Sequence, residues 1–225
     1  MIARSVARIS GSQRRGGEDP RRVRRVWGVD LLAAAAGSAV LGACGLAVSS
    51  GRVGPLELAV FHAVNGLSEA LSPLMRVAQL LGVLVVGPIV ATVASLSRRW
   101  RLAAAALMVT GAKLVAERVV WQLVQRSRPG TTISDAIVRG HTATVGAAFV
   151  SGHVALVSGL AWVITPTLRG PWRVVPWLIV VLVAFARVYL GAHAPLDVVG
   201  GLGLGLAIGG LTDLLVGVRS RREIG

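Results

Sequence analysis

Two histidines, an arginine and an aspartate stand in sequence that is otherwise apolar, in the clusters Ser151-Gly152-His153 and Arg187 to Asp197, which includes His193. A third cluster reads Arg126-Ser127-Arg128-Pro129. Ionisable side chains are costly in apolar segments, so each is a functional candidate. Together they suit phosphoester chemistry. The non-bridging oxygens of a phosphoester need fixed cations and N–H donors that stabilise the charge of the transition state. Arg128 and Arg187 offer planar forks for those oxygens. Ser151 and Gly152 open a helix, whose first N–H groups and dipole favour an anion, and glycine permits close approach. One imidazole can attack phosphorus while the other protonates the leaving oxygen. His193 is the better nucleophile, because Asp197 lies four residues on and can hold one ring nitrogen, fixing the tautomer. His153 is then left as the acid. Pro195 suits the first turn of the helix that carries Asp197.

The elements that position these residues are membrane helices. The chain has 225 residues, 54% of them hydrophobic, and a mean hydropathy of +0.70. Long apolar runs alternate with compact Arg patches, as in a multi-span helical protein. We expect an all-α fold: a six-span transmembrane bundle with an interfacial amphipathic segment after the first span. The spans are read at 31–49, 75–97, 102–124, 154–168, 174–190 and 196–218, with the amphipathic segment at 55–74. Residues 1–26 are read as a disordered basic tail, 27–218 as the membrane domain, and 219–225 as a second basic tail. Cys44, the single cysteine, excludes an intramolecular disulfide. Leu41-Gly42-Ala43-Cys44 loosely resembles a lipidation box, but apolar sequence continues past it, so Cys44 is read as packed within a span.

Basic loops mark the cytoplasmic side. Placing the tail inside puts the patches at Arg98, Arg169 and Arg219 inside as well, with no forced exception. Arg128, His153, Arg187, His193 and Asp197 then meet at the outer ends of the third to sixth spans. The net charge of +14 raises nucleic acid as a partner. The basic residues abut apolar runs and lack interleaved aromatics or a nucleic-acid motif, which argues against it. Anionic lipid headgroups at the cytoplasmic patches are the expected partners. No Asp/Glu/His cluster suggests a required metal and no glycine loop suggests a nucleotide, so no cofactor is expected. Oligomeric state is not legible.

In order and spacing these residues resemble the type 2 phosphatidic acid phosphatase superfamily of membrane lipid phosphatases. Its pattern is Lys, six residues, Arg-Pro; then Pro-Ser-Gly-His; then Ser-Arg, five residues, His, three residues, Asp. Arg128-Pro129, Ser151-Gly152-His153 and Arg187, His193 and Asp197 match it over about residues 102–210. The resemblance implies that His193 is the nucleophile, Asp197 its support and His153 the acid, with Arg128, Arg187, Ser151 and Gly152 on the phosphate. Three positions depart: Trp121 for the lysine, Val150 for the proline and Ala186 for the serine. Trp121 removes a cation. Arg126 is the nearer substitute and Arg118 the other, while Lys113, two helical turns earlier on the same face, is read as paired with Glu117.

The expected function is a metal-independent phosphatase acting on a lipid phosphate or diphosphate, of polyprenyl diphosphate or phosphatidate type, through a phosphohistidine. The expected location is the extracytoplasmic face of a bacterial cytoplasmic membrane, with both termini inside. The alternatives are a catalytically silent lipid-phosphate binder, a phosphotransferase of the same fold, or a small transporter centred on Lys113 and Glu117. Asp135, Arg139 and His141 are read as a solvated outer loop. Gly201, Gly205 and Gly209, spaced by four, are read as close packing inside the bundle.

Overall fold

The computed structural model describes residues 20–140 and 142–218, with side chains from Trp27 onward. No strand occurs among the described residues, only an isolated bridge between Ser127 and Ala147. The helices are α1 (Pro20–Val48), α2 (Pro55–Asn65), α3 (Ser72–Leu80), α4 (Val86–Leu96), α5 (Trp100–Leu123), α6 (Pro129–Thr132), α7 (Gly152–Ile164), α8 (Val175–Tyr189) and α9 (Pro195–Val216). Helix α1 begins at Pro20 and takes in the last residues of the segment read as tail. Residues 1–19 and 219–225 lie outside the described residues.

Three helical stretches among the described residues are long and apolar enough to cross a bilayer: Trp27–Val48, Gly170–Tyr189 and Pro195–Val216. Their outward residues are apolar, with Leu32 70% and Leu215 77% exposed. Glu57, Glu117, Arg126, Arg187 and Asp197 are buried instead. Apolar outside and ionic inside is the distribution that lipid, rather than water, selects.

Helix α9 is the centre of the bundle, and its glycines decide what packs on it. A Cβ on Gly201 would strike the Ser151 carbonyl at 2.6 Å, and one on Gly209 the Trp162 Cβ at 2.8 Å, so this row seats α7. A second row, Gly203 and Gly210, faces the backbone of α1 at 2.8 Å (Gly37 O) and 2.6 Å (Asp30 O). The four-residue glycine repeat therefore packs inside the bundle against α7, and a separate pair of glycines seats α1. Cys44 is buried in the core, as expected.

The run 75–97 is not one continuous helix. It breaks between α3 and α4, where residues 81–85 form turns. Pro88, in the first turn of α4, has no N–H to give and suits a helix start. The break has a use: it sets Gly82 against His153. Helix α2 also differs from a simple amphipathic segment. Its buried residues are Glu57, Phe61 and Asn65, while Leu56 is 81% exposed, so two of the three residues facing the protein are polar.

Candidate active site

The site lies where the starts of α7 and α9, the end of α8 and the loop before α7 meet. The turn between α8 and α9 carries His193. Gly191 in that turn has a φ of +71°, a left-handed conformation that favours glycine, and its missing Cβ leaves room for the Ile137 carbonyl. The Ala192 and His193 N–H groups both donate to the Arg187 carbonyl, at 3.1 and 3.3 Å. The nucleophile candidate and Arg187 are thus one rigid unit.

His193 is 3% exposed. Its Nδ1 lies 2.9 Å from the Ala148 carbonyl oxygen, which can only accept. Nδ1 therefore carries the proton, and Nε2 keeps its lone pair. The expected Asp197 hydrogen bond is absent: its Oδ2 is 3.8 Å from Nδ1. Asp197 is wholly buried and takes the Ala194 N–H at 2.8 Å, closing the first turn of α9, and Arg126 Nη1 at 2.9 Å. It supports His193 through charge and through the turn. Burial pushes the His193 pKa from 6.5 down to about 4; Asp197 opposes this, and Arg187 and Arg128 reinforce it.

Arg126 is not placed as the sequence suggests. It is 2% exposed, and its Nη1 and Nη2 donate to Glu57 Oε1 and Oε2 at 3.0 and 2.7 Å, with Nη1 shared to Asp197. Burial works against its charge, but Glu57 and Asp197 outweigh that and raise its pKa above the usual arginine value. A guanidinium held by two carboxylates has little left for a phosphate. Glu57, missed in the sequence, also accepts the Leu196 N–H at 2.9 Å. It therefore joins α2 to α9.

Arg128 and Arg187 are placed differently. Arg128 donates from Nη1 to the Ala192 carbonyl at 3.1 Å, and Arg187 from Nη1 to Gln79 Oε1. Their Nε atoms are buried without partners, as are Ser151 Oγ and Trp121 Nε1. Burial lowers the Arg128 pKa, while Asp197 and Glu117 nearby hold it up. Buried donors left unpaired are expensive in a finished fold and are common where a fold binds an anion. Ser151 caps α7 by backbone position alone, and its N–H donates to the Asp197 carbonyl at 2.9 Å, fixing α7 to α9.

His153 packs on the α3–α4 break. A Cβ on Gly82 would stand 2.8 Å from its Cβ and 3.1 Å from its Cδ2. Gly82 and Gln79 were not singled out in the sequence; a lone glutamine in an apolar run was the available signal. Gly82→Ala is expected to shift the His153 ring and lower kcat roughly tenfold or more with little change in KM, measured by steady-state turnover. Unaltered kcat would separate His153 from the chemistry.

The loop before α7 is not free in solvent. Arg139 is 5% exposed and donates to the Asn65 and Tyr189 carbonyls at 2.7 and 2.6 Å and to Glu69 at 2.7 Å. Asp135 pairs with His62 at 3.2 Å, and His141 lies outside the described residues. On α5, Lys113 Nζ and Glu117 Oε2 are paired at 2.6 Å, as expected, and Arg118 is exposed.

A helical membrane bundle that gathers imidazoles and unpaired guanidinium N–H groups at one helix start defines a phosphate-handling membrane protein. The chain belongs to the PAP2 superfamily, whose model matches residues 100–221. Two solved structures share its fold. One is LpxE of Aquifex aeolicus, at 20% identity and a TM-score of 0.66, covering 71% of this chain and 95% of that one. The other is a transmembrane PAP2-type phosphatidylglycerolphosphate phosphatase from Bacillus subtilis, at 22% identity and a TM-score of 0.62, covering 79% and 94%. No curated protein sequence matches.

Proposed function

We propose that this protein is a six-span membrane phosphatase that hydrolyses a lipid phosphate or diphosphate at the extracytoplasmic face of a bacterial cytoplasmic membrane. The observation that carries the reading is the coincidence, in one place, of a His193 Nε2 lone pair with the unpaired donors of Arg128, Arg187 and Ser151. In the first step Nε2 attacks phosphorus, the bond to the leaving oxygen breaks, and His153 gives that oxygen a proton. In the second, water attacks the phosphohistidine, passes a proton to His153, and inorganic phosphate leaves with Nε2 restored. Arg128, Arg187, Ser151 Oγ and the first N–H groups of α7 hold the oxygens throughout. Asp197, 3.8 Å from Nδ1, offsets the positive charge that the ring gains on attack.

The remaining spans of the bundle are supplied by α3 with α4, by α5 and by α7, while α2 lies in the outer interface with the polar anchors Glu57 and Asn65 turned inward. The substrate's tail enters from the bilayer, and a polyprenyl carrier fits the bacterial residue usage. Away from the site, a cavity of about 360 Å³ is lined by Arg98, Arg99, Trp100 and Arg101, a surface suited to anionic headgroups.

A panel of polyprenyl diphosphate, phosphatidate and phosphatidylglycerolphosphate, assayed in detergent with a chelator present, tests this reading. Phosphate release from at least one of them is expected, with the chelator without effect. Binding of these lipids with no release from any would assign the protein as a lipid-phosphate binder.

A further inference from the structure

The phosphate site proposed above has two cations, and position 121, where the family pattern carries a lysine, holds a tryptophan. Neither substitute read from the sequence fills the gap: Arg126 is consumed by Glu57 and Asp197, and Arg118 is exposed. Lys113 does reach the right place. It shares one face of α5 with Glu117 and Trp121, at steps of four residues. Lys113 and Glu117 are both about nine-tenths buried.

The start of α7 lies directly against this pair. A Cβ on Gly152 would overlap the Glu117 carboxylate and stand 2.7 Å from Lys113 Nζ. Gly152 thus has a use not foreseen from its motif: its missing side chain makes room for a carboxylate and an ammonium as well as for ligand oxygens. The Glu117 carboxylate is a negative group beside Gly152 at the N-terminal end of α7, within electrostatic reach of Arg128. That is where a phosphate would be stabilised by the same N–H groups. An ammonium has three donors, and Glu117 is the one ion-pair partner of Lys113 among the described residues.

We propose that Lys113 is the third cation of the phosphate site, supplied from two helical turns earlier in α5 than the family pattern. Glu117 holds it beside Gly152, and an incoming phosphate takes over part of that pairing. The inference rests on the phosphatase reading and specifies how its anion is held.

Binding of inorganic phosphate to the full chain in detergent, with thermal unfolding in parallel, tests it. Lys113→Met is expected to weaken phosphate binding tenfold or more, as loss of a charge-assisted bond does. Glu117→Gln is expected to tighten it, because the ammonium is released. The double variant Lys113→Met/Glu117→Gln leaves no unpaired buried charge and is expected to bind as weakly as Lys113→Met. Adding Trp121→Lys to Lys113→Met is expected to restore binding. A double variant that binds phosphate like the original chain overturns the proposal, as does equal weakening by Lys113→Met and Glu117→Gln, the mark of a purely structural pair. If the original chain binds no phosphate and releases none from any lipid, the phosphatase reading itself falls, and this inference with it.

Discussion

His193→Ala is expected to abolish phosphate release, lowering kcat by on the order of 10⁴-fold or more, as loss of a covalent nucleophile does elsewhere. The expectation follows from one hydrogen bond. The Ala148 carbonyl at 2.9 Å can only accept, so it fixes the proton on Nδ1 and leaves Nε2 as the attacking atom. Acid quench of the original chain during turnover should trap an acid-labile phosphoenzyme that the variant lacks. The pH profile adds an independent reading. Attack requires neutral imidazole, and burial lowers the His193 pKa from 6.5 to about 4. The nucleophile is therefore lost to protonation only as pH falls towards that lower value, and the acidic limb of kcat/KM that it sets should lie below pH 6.5. Arg187 and Arg128 also depress this pKa, so Arg187→Gln should move the limb upward, whereas Asp197→Asn, which removes an opposing negative charge, should move it down. Substrate ionisation is common to all variants, so the shift between them is the quantity read. A His193→Ala protein with full turnover would eliminate the mechanism, whatever the fold.

Arg126→Met is expected to be the most damaging change to stability. Its guanidinium is the shared partner of the Glu57 and Asp197 carboxylates, both buried. Removing one member of a buried ionic network leaves charge uncompensated, at a cost of about 3–5 kcal/mol. Catalysis should suffer too, because Asp197 closes the turn that carries His193. Adding Glu57→Gln to Arg126→Met removes one of the stranded charges, and partial recovery of the unfolding midpoint in detergent is expected. The comparison discriminates two roles. A variant that keeps its stability but loses phosphate affinity would make Arg126 a phosphate ligand, as the sequence alone suggests. One that loses stability and regains part of it in the double variant makes Arg126 a positioning residue.

The sequence by itself was enough for the all-helical class and the family resemblance, and it singled out the candidate reacting groups, for physical reasons. Apolar runs long enough to cross lipid exclude other architectures. Imidazole and guanidinium in such runs carry a cost that makes them conspicuous. The four-residue spacing of Gly201, Gly205 and Gly209 leaves helix packing as its ready use, and Lys113 and Glu117, four apart on one helix, pair as local geometry requires. What sequence spacing could not give was which charge meets which across the bundle. Arg126 lies next to the phosphate motif in the chain, yet its carboxylates come from 69 residues before and 71 residues after it. The partner of His193 Nδ1 is a backbone carbonyl, which no side-chain pattern encodes. Gly82, Gln79 and Glu57 enter the site only because 75–97 breaks and α2 turns polar residues inward. Lys113 stands two turns from the motif position along α5, and only the packing of α5 against the glycine that opens α7 brings its ammonium to the site. Contacts of this kind depend on close approach of backbones from distant segments, and that is decided by how the helices pack, not by any one of them.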